Sequence, residues 1–530
     1  RRRSTGRGRV SSPHRGVVAG GHPATARAGA LVLEAGGNAA DAAVAAVAAS
    51  LTAEACLTGL GAGGFALVRD PDGRAELLDF FVAAAGMGRE ERDFRRRAHL
   101  SPYEVPFRSA TQVFNVGPSS CAVPGMPLGL ATLHDRHGRL PLDRVLAPAI
   151  AMARGGITLV PQQDYLHDIL SGILTADAAV SSVFAPAGRL LRHGDILRSP
   201  DLGDALEVLA VDGPTPFIDG RYAERICAFM DERGGLITPD DLRSYRVVVR
   251  EPVSVRYRDH RILTNPKPSS GGSLIAHTLS LLDRQDLSLL APGPLAVALA
   301  RAMGDTDRER PAIVDTADDQ SAAPHEAPRP CGGSDRPRSL GNTTHVSAID
   351  SDGMAVSVTS SCGSGSGVVV EGTGIYMNNM MGEEDLNPEG FFRLPPGTRL
   401  TSMMAPTMAF APYDRQGPPD TLLALGSAGS ERLRSAIVQI IVNMIDLRLP
   451  AQEAVDRPRL HHRRGVIHAE GGTSDEAVQA LEADGFDVNR WPVKDLYFGG
   501  AQVALRLGGE CDVCFDGGGD PRRGGAALIV

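Results

Sequence analysis

Two stretches about two-thirds of the way along the chain alternate between apolar and polar positions. Thr344 to Ile349 reads Thr, His, Val, Ser, Ala, Ile, and Met354 to Thr359 reads Met, Ala, Val, Ser, Val, Thr. A period of two predicts strands. Asp350-Ser351-Asp352-Gly353 lies between them, and a three-residue loop with Gly353 left-handed closes such a pair as a hairpin with a bulge. That register pairs Asp350 with Met354, Ala348 with Val356 and Val346 with Val358 on an apolar face. His345, Ser347, Ser357 and Thr359 share the other face, and Ser361 falls across from Thr343. Two hydroxyls are therefore expected to face each other at the open end.

The pattern predicts more around this hairpin. Gly363-Ser364-Gly365-Ser366-Gly367 carries so little side chain that it permits close backbone approach. Leu422 to Leu425 reads as a buried strand that passes through the small-residue turn 426–430 into an apolar helix from about Glu431 to Leu447. The unpaired N–H groups where such a helix starts suit an oxyanion. Alanine-rich helices are expected at 24–35 and 39–50, with Asp41 capping or pairing locally. The segment 304–340 is the least patterned. Asp305 to Arg310 is charged, and Ala322 to Arg338 mixes Pro, Ser, Gly and Asp without apolar periodicity. It is expected to be a mobile tail, 304–342.

At Asn342-Thr343-Thr344-His345 the pattern meets candidate chemistry. A threonine hydroxyl needs a base beside it, and cutting the chain before the threonine supplies one, its own new α-amine. That amine titrates near ~7.7–8.0, so an appreciable fraction is neutral at working pH. On this segment alone, a Ser- and Thr-rich surface hairpin is the simpler reading. The glycine run and the turn before the 431–447 helix shift the balance toward a site.

Further motifs stand in order along the chain. They are Gly16-Val17-Val18-Ala19, Ala35-Gly36-Gly37-Asn38-Ala39-Ala40-Asp41-Ala42-Ala43, Leu60-Gly61-Ala62-Gly63-Gly64-Phe65 and Val123-Pro124-Gly125. Gly234-Gly235-Leu236-Ile237-Thr238 and Pro266-Lys267-Pro268-Ser269-Ser270-Gly271-Gly272 follow. Beyond the hairpin come Gly374-Ile375-Tyr376-Met377-Asn378-Asn379, Thr401-Ser402-Met403, Arg457-Pro458-Arg459-Leu460-His461-His462 and Asp520-Pro521-Arg522-Arg523. In this order and spacing the chain resembles the γ-glutamyltranspeptidase (glutathione hydrolase) family over nearly its whole length.

The resemblance implies a fold, a mechanism and a set of residues. The fold is α/β (α+β): the four-layer αββα sandwich of the N-terminal-nucleophile hydrolases. Two intertwined subunits would arise from one precursor cut between Asn342 and Thr343, a large subunit 16–342 and a small subunit 343–530. The Thr343 hydroxyl would attack the Asn342 carbonyl, an N-to-O acyl shift would give an ester, and water would cleave it. The freed Thr343 would then take a γ-glutamyl group from glutathione or an analogue and pass it to water, an amino acid or a peptide. No metal or organic cofactor is implied. By position, Ser361 matches the second hydroxyl that bonds the nucleophile, and Ala428 and Gly429 match the backbone oxyanion donors. Thr401 and Ser402 match the hydroxyl pair for the substrate α-carboxylate, and Glu383 or Glu384 the acid for its α-amine.

Two departures concern the substrate end. Phe81, in Leu78-Asp79-Phe80-Phe81-Val82, stands where the family has an arginine for the α-carboxylate. A bidentate guanidinium contact is stronger than a neutral hydrogen bond. The loop after Ser361 is also about two residues shorter at Cys362-Gly363. Three readings follow in this order: a γ-glutamyltransferase and glutathione hydrolase; an amidase or acylase of the same fold on an oxo-acid amide or acylated β-lactam; and an uncleaved, non-catalytic binding homologue. Phe81 and the short loop favour the second, while Thr343, Ser361 and the oxyanion turn argue against the third.

Composition narrows the rest. A net charge of −9 argues against nucleic acid as the main partner. No apolar run reaches the ~18–20 residues of a membrane span. Residues 1–15 read as a basic, disordered N-terminus without the apolar core of a signal peptide. As written the expected location is cytoplasmic; an upstream signal would make it periplasmic or secreted. The seven cysteines are scattered, and Cys511-Asp512-Val513-Cys514 lacks a second pair for zinc. Cys362 is expected to line the pocket. His345 is expected to be a structural hydrogen-bonder, and His461 and His462 a satisfied pair whose side chains point apart.

Overall fold

The computed structural model describes residues 14–107, 110–315, 342–413, 419–508 and 513–530. The N-terminal tail 1–13, the segment 316–341 and Cys511 lie outside the described residues. Two antiparallel sheets form the centre. One has seven strands, in the order Ala526–Ile529, Gly16–Gly20, Asn342–Asp350, Ala355–Gly363, Gly63–Arg69, Ala75–Phe80 and Val248–Arg250. The other has six, in the order Cys514–Gly519, Gly500–Leu507, Thr421–Ala428, Thr407–Ala411, His260–Thr264 and Val253–Tyr257.

The Asn342–Asp350 and Ala355–Gly363 strands pair in the expected register, with Val346 opposite Val358, Ala348 opposite Val356 and Thr343 opposite Ser361. The turn closes through Gly353 at φ 92, and the Asp350 N–H donates to the Met354 carbonyl at 3.1 Å. Both faces of this hairpin are buried, so it is not a surface hairpin. Even-numbered positions face the Ala39–Ala53 helix, and odd-numbered ones face the second sheet. The polar face is satisfied inside. His345 Nδ1 lies 2.8 Å from Thr359 Oγ1, and its Nε2 lies 2.9 Å from Ser347 Oγ. Ser357 donates across to the Leu425 carbonyl at 3.0 Å, and Ser347 to that of Gln502 at 3.2 Å. Burial pushes His345 down to about 3, so it is a neutral spacer between the sheets. A Cβ at Gly426 would lie 2.3 Å from its ring. Gly426 and Ser427 are strand, not turn, because pairing with Gln502 and Ala501 carries the Thr421–Ala428 strand past its apolar stretch.

Helices cover both sheets. Pro23–Glu34, Ala39–Ala53 and Met126–His137 lie against the seven-stranded sheet. Gly271–Leu282, Arg432–Ile445 and Ala451–Asp456 lie against the six-stranded one, completing αββα. Every residue of Ala39–Ala53 is buried, between the sheet and the Pro23–Glu34 and Leu142–Gly155 helices. Alanine suits this place because it lets helices approach closely and gives up no side-chain entropy. Asn38 and Asp41 cap it reciprocally, each side chain 3.0 Å from the other's backbone N–H.

The tail expected from residue 304 is helix as far as Asp315, the end of Pro292–Asp315. Arg308 and Glu309 are on the outer side of this helix, Asp307 and Arg310 turn to ion-pair partners on other elements, and the inner side carries Ala302, Met303 and Thr306, all buried. Thr306 is 2.9 Å from Thr278 on the neighbouring helix. His461 and His462 do point apart, His461 to Ser435 at 2.8 Å and His462 to Asp307 at 2.7 Å. Nearby, Arg459, Glu470, Asp520 and Arg522 form a buried ionic cluster, with Arg459–Asp520 at 2.6 Å and Arg522–Glu470 at 2.5 Å.

Candidate active site

Thr343 sits at the end of its strand, where the pairing shifts register between Asn342 and Thr343. Its side chain is an odd-numbered one, and its hydroxyl donates to Ser361 Oγ at 3.3 Å. Ser361 Oγ in turn accepts the Gly363 N–H at 2.9 Å. Two buried ionic groups hold Thr343 and Thr344 here. Arg523 donates to the Thr343 carbonyl at 3.3 Å. Glu54 accepts the Thr344 hydroxyl on one oxygen and that of Thr25, at 2.7 Å, on the other. Burial pushes the Glu54 carboxyl up to about 6, against the pull of Thr344, Thr25 and Arg523. Sequence reasoning missed both groups. The available signals were an acid, Glu54, directly after the alanine helix and the final arginine of Asp520-Pro521-Arg522-Arg523.

Thr343 and Ser361 open onto a cleft with Glu383, Asp385, Ser402 and Ser430 as its other polar lining residues. Phe81, Met380, Leu386, Met403, Met404 and Leu433 supply the apolar wall. The Phe81 ring stacks on Phe65 with centroids 5.3 Å apart. The Phe81 carbonyl accepts Tyr245 Oη at 2.5 Å and a guanidinium N–H of Arg399. That arginine therefore holds backbone at the site of the missing family arginine. The cleft has only about 30 Å³ of free volume, but three of its walls are methionines, unbranched and adaptable.

The Gly363–Gly367 run leaves the Ser361 strand in a tight, left-handed path. Gly363, Gly365 and Gly367 have φ of 69, 80 and 70. The Ser364 N–H donates to Glu383 Oε1 at 2.8 Å and to Asn379 Oδ1 at 2.9 Å. A Cβ at Gly365 would lie 1.9 Å from Tyr376 Oη. Gly365→Ala should lower stability by about 2–4 kcal/mol, from left-handed strain plus overlap. Gly188→Ala is the control: it has φ 73 but open space around it, so it reads the backbone part alone. Urea unfolding of the two variants separates the contributions.

The other expected residues divide. Glu383 is buried and lines the cleft, whereas Glu384 is exposed outside it; Asp385, which the sequence reading omitted, lines it instead and accepts the Ser430 hydroxyl at 3.0 Å. Ser402 lines the cleft, with its Oγ accepting the Met404 N–H at 3.0 Å. Thr401 turns its hydroxyl to the Pro268 carbonyl at 2.8 Å and is not a lining residue. Ala428 ends its strand opposite Gly500, and Gly429 follows at φ 114. Ser430 and Leu433 carry that turn into the cleft, while Ala428 and Gly429 stand just behind. Cys362 is not in the pocket. Strand alternation sends it to the face opposite Ser361, where it is fully buried with Sγ 3.9 Å from the Tyr376 carbonyl.

A hydroxyl at a strand end, a second hydroxyl beside it and a glycine turn into a helix can be compared with known proteins. The γ-glutamyltranspeptidase family model matches residues 25–303 and 304–530. The chain belongs to the γ-glutamyltranspeptidase family. It is similar to the Acylase ACY 1 proenzyme of a Pseudomonas species, with 33% identity over 91% of this chain and 88% of that protein. It is also similar to the glutathione hydrolase proenzyme of Escherichia coli, at 31% over 89% and 85%. Among solved structures, cephalosporin acylase from Bacillus halodurans aligns over 100% of this chain and 98% of its own, with a TM-score of 0.77 and 26% identity. The family thus joins acylases and glutathione hydrolases on one N-terminal-nucleophile hydrolase fold, and this chain has relatives of both kinds. Among the described residues, no helix is long and apolar enough to cross a membrane.

Proposed function

We propose that this chain is a self-processing amide hydrolase with Thr343 as nucleophile, and that its acyl group is one with a largely apolar chain, as in an acylated β-lactam. The observation that carries this reading is the Thr343–Ser361 hydroxyl pair opening onto a wall of Phe81, Met380, Leu386, Met403, Met404 and Leu433. Cleavage after Asn342 frees the Thr343 α-amine. The amine takes the hydroxyl proton as Oγ1 attacks the substrate carbonyl, then gives it to the departing amine as the C–N bond breaks. Water, deprotonated by the same amine, opens the resulting ester and returns Thr343. Ser361 orients Oγ1, and the N–H groups of Ala428 and Gly429 stabilise the oxyanion.

The γ-glutamyl reading is the second one, favoured by Glu383, Asp385 and Ser402 in the same cleft. Two carboxylates can hold an α-ammonium, and acceptor amino acids would then compete with water. A series of anilides separates the readings. Glutaryl anilide drops the α-ammonium of γ-glutamyl anilide, and butyryl anilide drops both charges. The processed enzyme should show kcat/KM at least about 10-fold higher for one of the simpler anilides, since desolvating unpaired charge against an apolar wall is unfavourable. The reverse order would replace the acylase reading with the γ-glutamyl one. Phe81→Arg should raise γ-glutamyl turnover relative to butyryl by about 10-fold or more, the worth of a charge-assisted contact. An unchanged ratio would clear Phe81 of any part in the choice.

A further inference from the structure

Glu431, the residue after Ser430, belongs to the wall of a second cavity of about 650 Å³ that shares no lining residue with the Thr343 cleft. It runs between the C-terminal half of the Pro292–Asp315 helix, the start of Arg432–Ile445 and the tip of the Leu460–Arg463/Val466–Ala469 hairpin. Its carboxylates are already engaged. Asp305 pairs with Arg308 at 2.9 Å, Glu431 with Arg310 at 2.7 Å, and Asp307 with His462 at 2.7 Å and with Arg434. Arg301 is held by Asp484 from outside the lining. Arg463 and Arg464 also line the cavity, and neither guanidinium makes an ion pair or a hydrogen bond among the described residues. Six arginines thus meet four carboxylates, and the excess is this adjacent pair.

Where the pair stands adds to the case. Arg463 pairs with Val466, so Arg464-Gly465 is a two-residue turn, with φ of 49 and 85. Asn-Gly is the usual choice for such a turn, and an arginine is an uncommon occupant of its left-handed first position. Both arginines line a concavity whose size is that of a small-ligand pocket. Guanidinium groups bind phosphate and carboxylate oxygens through paired N–H donors. Surplus positive charge in a concavity also concentrates anions.

We propose that this cavity is a binding site for a small polyanion, a polyphosphate or a polycarboxylate, gripped by Arg463 and Arg464 and lying apart from the Thr343 cleft. The site stands whichever amide the enzyme cleaves. Its test is calorimetric titration of the purified full chain with inorganic pyrophosphate and, separately, citrate, at ionic strength held constant with sodium chloride. Saturable binding of either is expected, and which one binds more tightly assigns the ligand to the phosphate or the carboxylate class. Arg463→Ala/Arg464→Ala should weaken that binding at least about 10-fold, with the melting temperature of the ligand-free protein unchanged. Arg464→Asn, which keeps the turn, should lose affinity as well, showing that the charge and not the turn is what binds. No saturable binding of either anion, or equal affinity in the double variant, would overturn the site.

Discussion

Thr343→Ala should leave the protein as one uncut chain of 530 residues, while the unaltered protein should resolve into two pieces that part between Asn342 and Thr343. The substitution removes the atom proposed to perform both reactions, the cut and the later attack on substrate. Amide turnover should fall by roughly 10³-fold or more, because a nucleophile's loss is not compensated by the binding groups left behind. Intact mass reads the first effect and anilide hydrolysis the second. Thr343→Ser keeps an oxygen in place and should still cut, more slowly. Ser361→Ala removes the Thr343 hydrogen-bond partner at 3.3 Å and the acceptor of the Gly363 N–H, and should cost about 10-fold. Normal cleavage in Thr343→Ala would assign the nucleophile elsewhere and remove the proposed mechanism.

The largest stability effect should come from Asp520→Asn. Asp520 is fully buried between Arg459 and Arg522, at 2.6 and 3.1 Å, and also accepts the Ala501 N–H at 2.8 Å. Asparagine keeps the shape but strips the charge from between two buried guanidinium groups. Breaking a buried pair in this way costs about 3–5 kcal/mol, since the desolvation of the remaining charge is no longer offset. Burial alone raises this carboxyl, but Arg459 and Arg522 outweigh it and hold it down at about 2. A folded-state value below the unfolded ~3.9 means that the stabilisation is complete above about pH 4. It is lost as pH falls toward 2. The gap in urea midpoint between the variant and the unaltered protein should therefore narrow from pH 6 to pH 3. A constant gap would show that the loss is one of packing.

The Thr343 hairpin was legible because its turn chemistry and its alternation specify one register. What alternation does not say is what lies on each side. His345, Ser347, Ser357 and Thr359 look like a solvent face in sequence, and only the second sheet, reached from more than sixty residues away at Leu425, makes them interior. The same alternation, applied one step further, would have placed Cys362 away from Ser361. Glu383 and Glu384 stayed interchangeable because they lie where two short 3₁₀ turns meet, and no periodicity there distinguishes inside from outside. The helix to Asp315 was hidden by a charge run and by Pro311, both ordinary signs of a break. Glu54 and Arg523 come from opposite ends of the chain, and only the folded sheet order brings them to one strand.

That sheet order bears on how the molecule would recover from denaturation. Gly16–Gly20 lies between Asn342–Asp350 and Ala526–Ile529, so a strand from before the proposed cut is laddered on both edges to strands from after it. While the protein stays folded, the cut is nearly silent, because neither piece can leave without dissolving the central sheet. Once it unfolds, the order of the reaction changes: the uncut chain refolds at a rate independent of concentration, whereas the cut pair must first find each other. Dilution should therefore slow the return of a processed protein and leave its precursor unaffected, so a mature form would persist by slow unfolding, not by ready refolding.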